Sequence, residues 1–238
     1  SDDSVVLKKN LNDLSTHIDI GHAGTAMRFL TAFLSIQNNK EFEITGSRRM
    51  KQRPIKILVD ALNHLGADVV YKDKVGYPPL IIRGKKLSGK KISLSAEISS
   101  QYISALILIA PILETGLSIH LEGSIASKPY LEMTLSILSK IGVNYEFNNN
   151  TINIEYLSEI DKKNINVESD WSSASYFYSI VALSNKSELN IGSFYNSSMQ
   201  GDKELSNIYS KFGVETEFLN DQGRIILKKI NDFVLPKK

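Results

Sequence analysis

The sequence predicts an α/β chain in which one α-β-α-β-β unit is used three times, over about 1–84, 85–157 and 158–238. Three observations carry that expectation. A helix-ending Gly followed by a short strand recurs as Leu65-Gly66-Ala67, Ile141-Gly142-Val143 and Phe212-Gly213-Val214, with the glycines 76 and 71 residues apart. A strand-ending Gly-Ser pair recurs at Gly46-Ser47, Gly123-Ser124 and Gly192-Ser193, with spacings of 77 and 69. Each unit also combines two kinds of helix, one apolar on nearly every side and one with a single apolar stripe. A helix apolar all round belongs in an interior and a striped one on a surface. Three units related by a pseudo-threefold axis then place buried parallel helices at the centre, surrounded by sheets and outer helices. The period exceeds that of most solenoids, so each unit is a small subdomain of one domain, 1–238.

In chain order, the first buried helix is read over 24–34, where Ala, Thr and large apolar side chains share every face. A strand over 41–45 follows. Pro54 suits a first helical position, where its missing N–H costs nothing. Ile55, Leu58, Val59, Leu62 and Leu65 then form a stripe at i, i+3, i+4, i+7 and i+10. The second unit repeats the pattern with a buried helix from 100 to 112, a strand over 117–121 and an outer helix from about 130 to 141. A hairpin turning on Asn148-Asn149-Asn150 closes it, since asparagine tolerates the positive φ of a tight turn. The third unit has a buried helix over 173–183, a strand over 188–191 and an outer helix from about 203 to 212.

Composition narrows the function. With 28 basic and 26 acidic side chains the net charge is +2, too small for a nucleic-acid surface. The absence of cysteine excludes a disulfide framework, a thiolate metal site and a cysteine nucleophile. The histidines, at 17, 22, 64 and 120, lack metal-ligand spacing, so neither metal nor cofactor is expected. No run approaches the roughly 20 apolar residues of a membrane span, and a cytoplasmic location is expected. The chain opens without Met and stops after a strand-like run at Val234-Leu235-Pro236-Lys237-Lys238, and so reads as a piece of something larger.

The loops before the helices carry the chemistry. They are Ala23-Gly24-Thr25, Arg49-Met50-Lys51-Gln52-Arg53, Ser99-Ser100-Gln101, Ser127-Lys128-Pro129-Tyr130, Ser172-Ser173 and Ser198-Met199-Gln200-Gly201-Asp202. Helix N-termini offer unpaired N–H groups and partial positive charge, which suit an anion. An arginine can clamp a carboxylate or phosphate with two parallel hydrogen bonds. Capping alone accounts for the serines and threonines, but it does not call for Arg53 or Gln101. Rotational symmetry gathers these loops on one rim.

At these residues the sequence resembles the 5-enolpyruvylshikimate-3-phosphate synthase family. Ser1-Asp2-Asp3, His22-Ala23-Gly24-Thr25-Ala26-Met27-Arg28, Arg49 to Ile55, Tyr77-Pro78-Pro79-Leu80, Ser99-Ser100-Gln101, Ser127 to Tyr130, Asp170 to Tyr176 and Ser198 to Asp202 match family motifs in the family's order. The resemblance implies one of two similar domains, each of three βαβαββ-like units, that close on shikimate 3-phosphate and phosphoenolpyruvate. It implies that Ser99, Ser100 and Ser127 hold the shikimate phosphate, that Tyr130 packs on the shikimate ring, and that Gln101 lies between the substrates. Arg53 and the Gly24 backbone would hold phosphoenolpyruvate. The resemblance further implies that the family's Lys-Ser…Arg segment lies upstream of Ser1 and that its catalytic Asp, Glu and Lys lie in a second domain beyond Lys238. No catalytic residue is therefore assigned here, and the chain is expected to be inactive alone.

Three departures stand out. His22 replaces a common Asn. Phe29 replaces a common Pro, which restores a backbone donor and smooths the first buried helix. The short stretch between Asp3 and Ile20 leaves out a hairpin, which puts the edge of the first sheet in question. Two alternatives compete with this reading. A UDP-N-acetylglucosamine enolpyruvyl transferase would carry a Cys loop ahead of Arg53-Pro54, and a non-catalytic repeat scaffold would not need two matched anion sets.

Overall fold

The computed structural model describes residues 2–89, 91–125, 127–160, 164–230 and 233, Asp2 through its backbone only. Ser1 and the Val234-to-Lys238 run lie outside the described residues. The chain divides into two compact units, one up to residue 163 and one from Asn164 onward.

The first unit holds two four-stranded sheets of the same design. One is built from α1 (Asp2–Asn12), β1 (His17–Asp19), α2 (Gly24–Ser35), β2 (Lys40–Thr45), α3 (Lys56–His64), β3 (Asp68–Tyr71) and β4 (Leu80–Gly84), with strand order β1-β2-β4-β3. The other is built from β5 (Lys91–Ser95), α4 (Ser100–Ile109), β6 (Leu117–Glu122), α5 (Lys128–Lys140), β7 (Tyr145–Asn148) and β8 (Thr151–Ile154), with order β5-β6-β8-β7. In each, the first two strands pair parallel and the rest antiparallel. Register places apolar side chains opposite one another on the core face, Ile18 with Ile44 and Phe42 with Ile82 in the first sheet, Ile92 with Ile119 and Ile119 with Ile152 in the second. Those side chains and Leu30, Leu34, Ile103 and Leu106 of α2 and α4 share one core. Burial at about 25 cal/mol per Å² of apolar surface is its driving force.

The second unit contains α6 (Trp171–Leu183), β9 (Glu188–Gly192), α7 (Leu205–Ser210), β10 (Val214–Leu219) and β11 (Arg224–Lys229), with strand order β10-β11-β9, all antiparallel. A 3-10 turn at Gly201–Glu204 leads into α7. This pattern matches the last three strands of the other sheets.

The Gly markers have a physical basis. After α3, Gly66 takes φ +99°, its N–H donates to the Asn63 carbonyl (3.0 Å), and the Ala67 N–H donates to Leu62 (3.0 Å). After α5, Gly142 takes φ +97° and the same pair of bonds forms from Gly142 to Ser139 (3.0 Å) and from Val143 to Leu138 (3.1 Å). Both are Schellman caps, which satisfy orphan carbonyls and need a left-handed residue. Gly213 also has positive φ, and its N–H donates to the Ser210 carbonyl (3.2 Å).

Within its own unit α6 packs by one face, through Trp171, Ala174, Tyr178 and Val181, since a single three-stranded sheet covers only one face of a helix. One expectation requires correction: Pro54 does not begin α3, which starts at Lys56 with Ile55 as N-cap. The first sheet ends on β1, only three residues long, which pairs parallel with β2, and helix α1 rather than a hairpin precedes it. Phe29 lies in an uninterrupted α2 and packs against the core.

Candidate functional site

The α2 start is fixed by its neighbours. Gly21, at φ +56°, donates its N–H to Asp19 Oδ1 (2.8 Å), and its carbonyl accepts from the Ser47 N–H (2.9 Å). Ser47 Oγ in turn accepts from the Met50 N–H (3.3 Å) and stands 3.0 Å from His22 Nδ1. These bonds lock the β1–α2 loop to the loop after β2. Buried Met50 anchors a 3-10 turn over Met50–Gln52, and Arg53 then becomes extended at φ −91°, ψ 122°. Extension is the conformation a residue before proline prefers, and here it turns Arg53 back toward α2.

The result is a convergence of cations on one glycine. A Cβ placed on Gly24 would stand 2.2 Å from Arg53 Nη1 and 3.0 Å from Arg28 Nη1. Only the bare backbone of glycine lets a guanidinium come so close. Ala23, the N-cap of α2, offers no side-chain cap, and Asp3 Oδ2 accepts from the Thr25 N–H at 3.3 Å. Gln101 Nε2 donates to Thr25 Oγ1 at 3.2 Å, joining the α4 start to the α2 start. Tyr102 Oη donates to the Pro54 carbonyl at 2.6 Å, tying α4 to the Arg53 loop as well. Thus Gly24, Arg53 and Gln101, named from the sequence, lie in one neighbourhood.

The serines differ in how far they are committed. Ser99 caps α4 by accepting from the Gln101 N–H (3.4 Å), which leaves its O–H free to donate elsewhere. Ser127 is the N-cap of α5, yet its side chain makes no capping bond. Tyr130 is 46% exposed. The Ser104 hydroxyl meets Thr134 Oγ1 at 3.2 Å, and Thr134 Oγ1 donates to the Tyr130 carbonyl at 2.9 Å, so α4 and α5 are held side by side. Among the described residues, no hydrogen bond joins Ser127 or Tyr130 directly to Gly24, Arg53 or Gln101. A 410 Å³ cleft beside the α5 start is lined by Lys128, Phe147 and Asn149 with their neighbours; it includes Lys128 of the α5 loop but none of Gly24, Arg53, Ser99, Ser100, Gln101, Ser127 and Tyr130.

The α6 start is built differently. Asp170 caps it through the Ser172 N–H (3.0 Å) and the Ser173 hydroxyl (2.9 Å), and the Ser172 hydroxyl donates to Asp202. Gln200 accepts from the Trp171 N–H (2.9 Å) and donates to the Ser169 carbonyl (2.8 Å). Two carboxylates already occupy this N-terminus.

Sequence reasoning passed over Arg28. Its signal was a lone arginine inside an otherwise apolar helix, and it proves to be buried, with its guanidinium 5.6 Å from the Tyr102 ring centre. Among the described residues, no group of three His, Asp or Glu side chains could hold a metal ion, and no helix is long and apolar enough to cross a membrane.

Comparisons with known proteins agree in direction. A family model described as EPSP synthase (3-phosphoshikimate 1-carboxyvinyltransferase) matches residues 2–231. The chain is 41% identical over 239 residues to a 3-phosphoshikimate 1-carboxyvinyltransferase of Bacteroides fragilis, covering 98% of this chain and 58% of that protein. It is 39% identical over 215 residues to one from Colwellia psychrerythraea, covering 89% of this chain and 50% of the relative. The chain therefore spans about half the length of these relatives. A solved EPSP synthase from Acinetobacter baumannii shares the fold, with a TM-score of 0.71 at 22% identity over 91% of this chain and 48% of that one. With nearly its whole length matched, this chain belongs to the EPSP synthase family.

Proposed function

We propose that this chain is the substrate-binding half of an enzyme that transfers the enolpyruvyl group of phosphoenolpyruvate to the 5-hydroxyl of shikimate 3-phosphate. In that reaction the hydroxyl gives up its proton as its oxygen bonds to the enolpyruvyl carbon, the methylene of that group gains a proton to become a methyl, and the tetrahedral intermediate collapses by losing phosphate and a methyl proton, which restores the methylene. Two polyanions must be neutralised and held in line, and two proton transfers need an acid and a base. The first task falls to this chain. Ser99, Ser100 and Ser127 receive the shikimate phosphate, Tyr130 the ring, Gln101 both substrates, and Gly24 and Arg53 phosphoenolpyruvate. The second task falls to the other half of the enzyme, so the isolated chain binds without turning over, in the cytoplasm.

The observation that carries the reading is the approach of Arg53 to the bare Gly24 backbone, with Gln101 bonded to the adjacent Thr25. Capping requires none of these, whereas a carboxylate or phosphate requires such donors. Neither a UDP-N-acetylglucosamine transferase nor a repeat scaffold has an observation of its own in support.

The test is an assay of the isolated chain with both substrates. It should release no phosphate, yet shikimate 3-phosphate should bind weakly, shikimate without its phosphate less well, and Ser127→Ala should weaken binding with the thermal midpoint unchanged. Turnover at the rate of a complete family member would show that the acid–base groups are in this chain after all.

A further inference from the structure

Arg28 is 5% exposed, and its Nε has no hydrogen-bond partner. Its Nη1 donates to the Gly24 carbonyl at 2.7 Å, and its guanidinium faces the Tyr102 ring. Among the described residues, no carboxylate forms an ion pair with Arg28 or Arg53. A cation withdrawn from water without a counter-charge is costly. A helix that needed only to pack would place an apolar side chain at this position. The nearby acid with a described bond, Asp3, is committed to the Thr25 N–H.

The geometry points to Arg28 as a positioning residue for phosphoenolpyruvate. It holds the Gly24 carbonyl and so orients the loop whose backbone meets the ligand. Through the Tyr102 ring, whose hydroxyl donates to the Pro54 carbonyl, it also sets the loop that carries Arg53. Its charge, screened little by water, adds to that of Arg53 on the same side of Gly24. A bound anion then supplies the counter-charge that is missing among the described residues. This role rests on the phosphoenolpyruvate assignment proposed above and deepens it.

The test titrates the 238-residue chain with phosphoenolpyruvate and, separately, with shikimate 3-phosphate, following the Gly24 amide, the Arg53 Nε–H and the Ser99 and Ser127 amides by NMR. The initial slope of each titration scales with affinity even when binding is weak. Arg28→Met should reduce the phosphoenolpyruvate slope about tenfold while the shikimate 3-phosphate slope changes less than about twofold. Arg28→Lys, which keeps the charge but not the fork, should fall between. Tyr102→Phe should displace the Arg53 Nε–H resonance before any ligand is added. If Arg28→Met loses its thermal transition, Arg28→Lys and Tyr102→Phe decide. Equal slopes for variant and wild type, or a parallel loss for both ligands, would overturn the role. A wild-type chain whose Gly24 and Arg53 ignore phosphoenolpyruvate would overturn the site assignment itself, and the Arg28 role with it.

Discussion

The α2 and α6 helices begin with Gly-Thr-Ala and Trp-Ser-Ser, and their N-termini are built differently. At α2 the cap residue is Ala23, the helix starts on a bare glycine, and two guanidiniums approach it. At α6 the cap is Asp170, a second carboxylate accepts from Ser172, and a glutamine side chain accepts from the first amide. At α2 one carboxylate, Asp3, accepts from the Thr25 N–H, and the two guanidiniums leave the balance positive, the condition for an anion site at a helix N-terminus. The α6 start is already answered from within, and its Trp171 ring is fully buried against Phe194 (5.1 Å) and Phe218 (6.2 Å). Changes at α6 should therefore cost stability, and changes at α2 should cost binding.

The largest effect is expected at Trp171. Its core cluster holds few other large side chains, so Trp171→Ala should destabilise the 164–238 unit by about 3–5 kcal/mol. Denaturant unfolding followed by amide signals of β9 and β11 would measure it. A loss under about 1 kcal/mol would mean that Trp171 is not structural. Next comes Gly24→Ala. The added methyl must push the Arg53 guanidinium aside, removing a charge-assisted contact of about 1.5–3 kcal/mol, or one to two decades of phosphoenolpyruvate affinity. Helix propensity favours alanine here, so the thermal midpoint should not fall. A variant that binds normally would show that the cations do not meet the ligand at Gly24.

Asp170→Ala should cost about 1 kcal/mol of stability through the lost cap and leave ligand binding untouched, as paired melting and titration curves would show. The smallest effect is alkaline. Burial pushes the Tyr71 hydroxyl up to about 12 and raises Tyr178 as well, against the hydrogen bond with Thr216. A tyrosine whose folded pKa exceeds its unfolded one keeps its stabilising share below about pH 10 and loses it as pH climbs toward the folded value. Stability should fall from pH 10 to 12, and Tyr71→Phe should flatten that fall at no cost near neutrality, because the Tyr71 hydroxyl has no partner. Tyr178→Phe should cost more, because its hydroxyl meets Thr216 at 2.9 Å.

The helix-ending glycines were legible because they obey backbone physics. Gly66 and Gly142 are left-handed residues in Schellman caps, and only glycine fills that role cheaply. The meeting of Gly24, Arg53 and Gln101 was reached by way of motif, since residues 24, 53 and 101 are joined only by the fold. Two things were hidden. The apolar α6 sequence resembles that of α4, and nothing in its letters says that its unit supplies one sheet to pack on. Arg28 looked like an exception within a core helix, because one of its partners, the Tyr102 ring, is remote in sequence, and the Gly24 carbonyl one turn back on α2 gains meaning only beside Arg53.

The most direct test of the contrast between the two helix starts is an amide-shift map of the chain titrated with shikimate 3-phosphate, alone and with phosphoenolpyruvate. The account predicts perturbations at Ser99, Ser100, Gln101, Ser127 and Tyr130 with the first ligand, joined by Gly24 and Arg53 with the second, while Asp170, Ser172, Ser173 and Asp202 stay still. Shifts that gather at the α6 start and spare Gly24, Arg53 and Ser127 would contradict it.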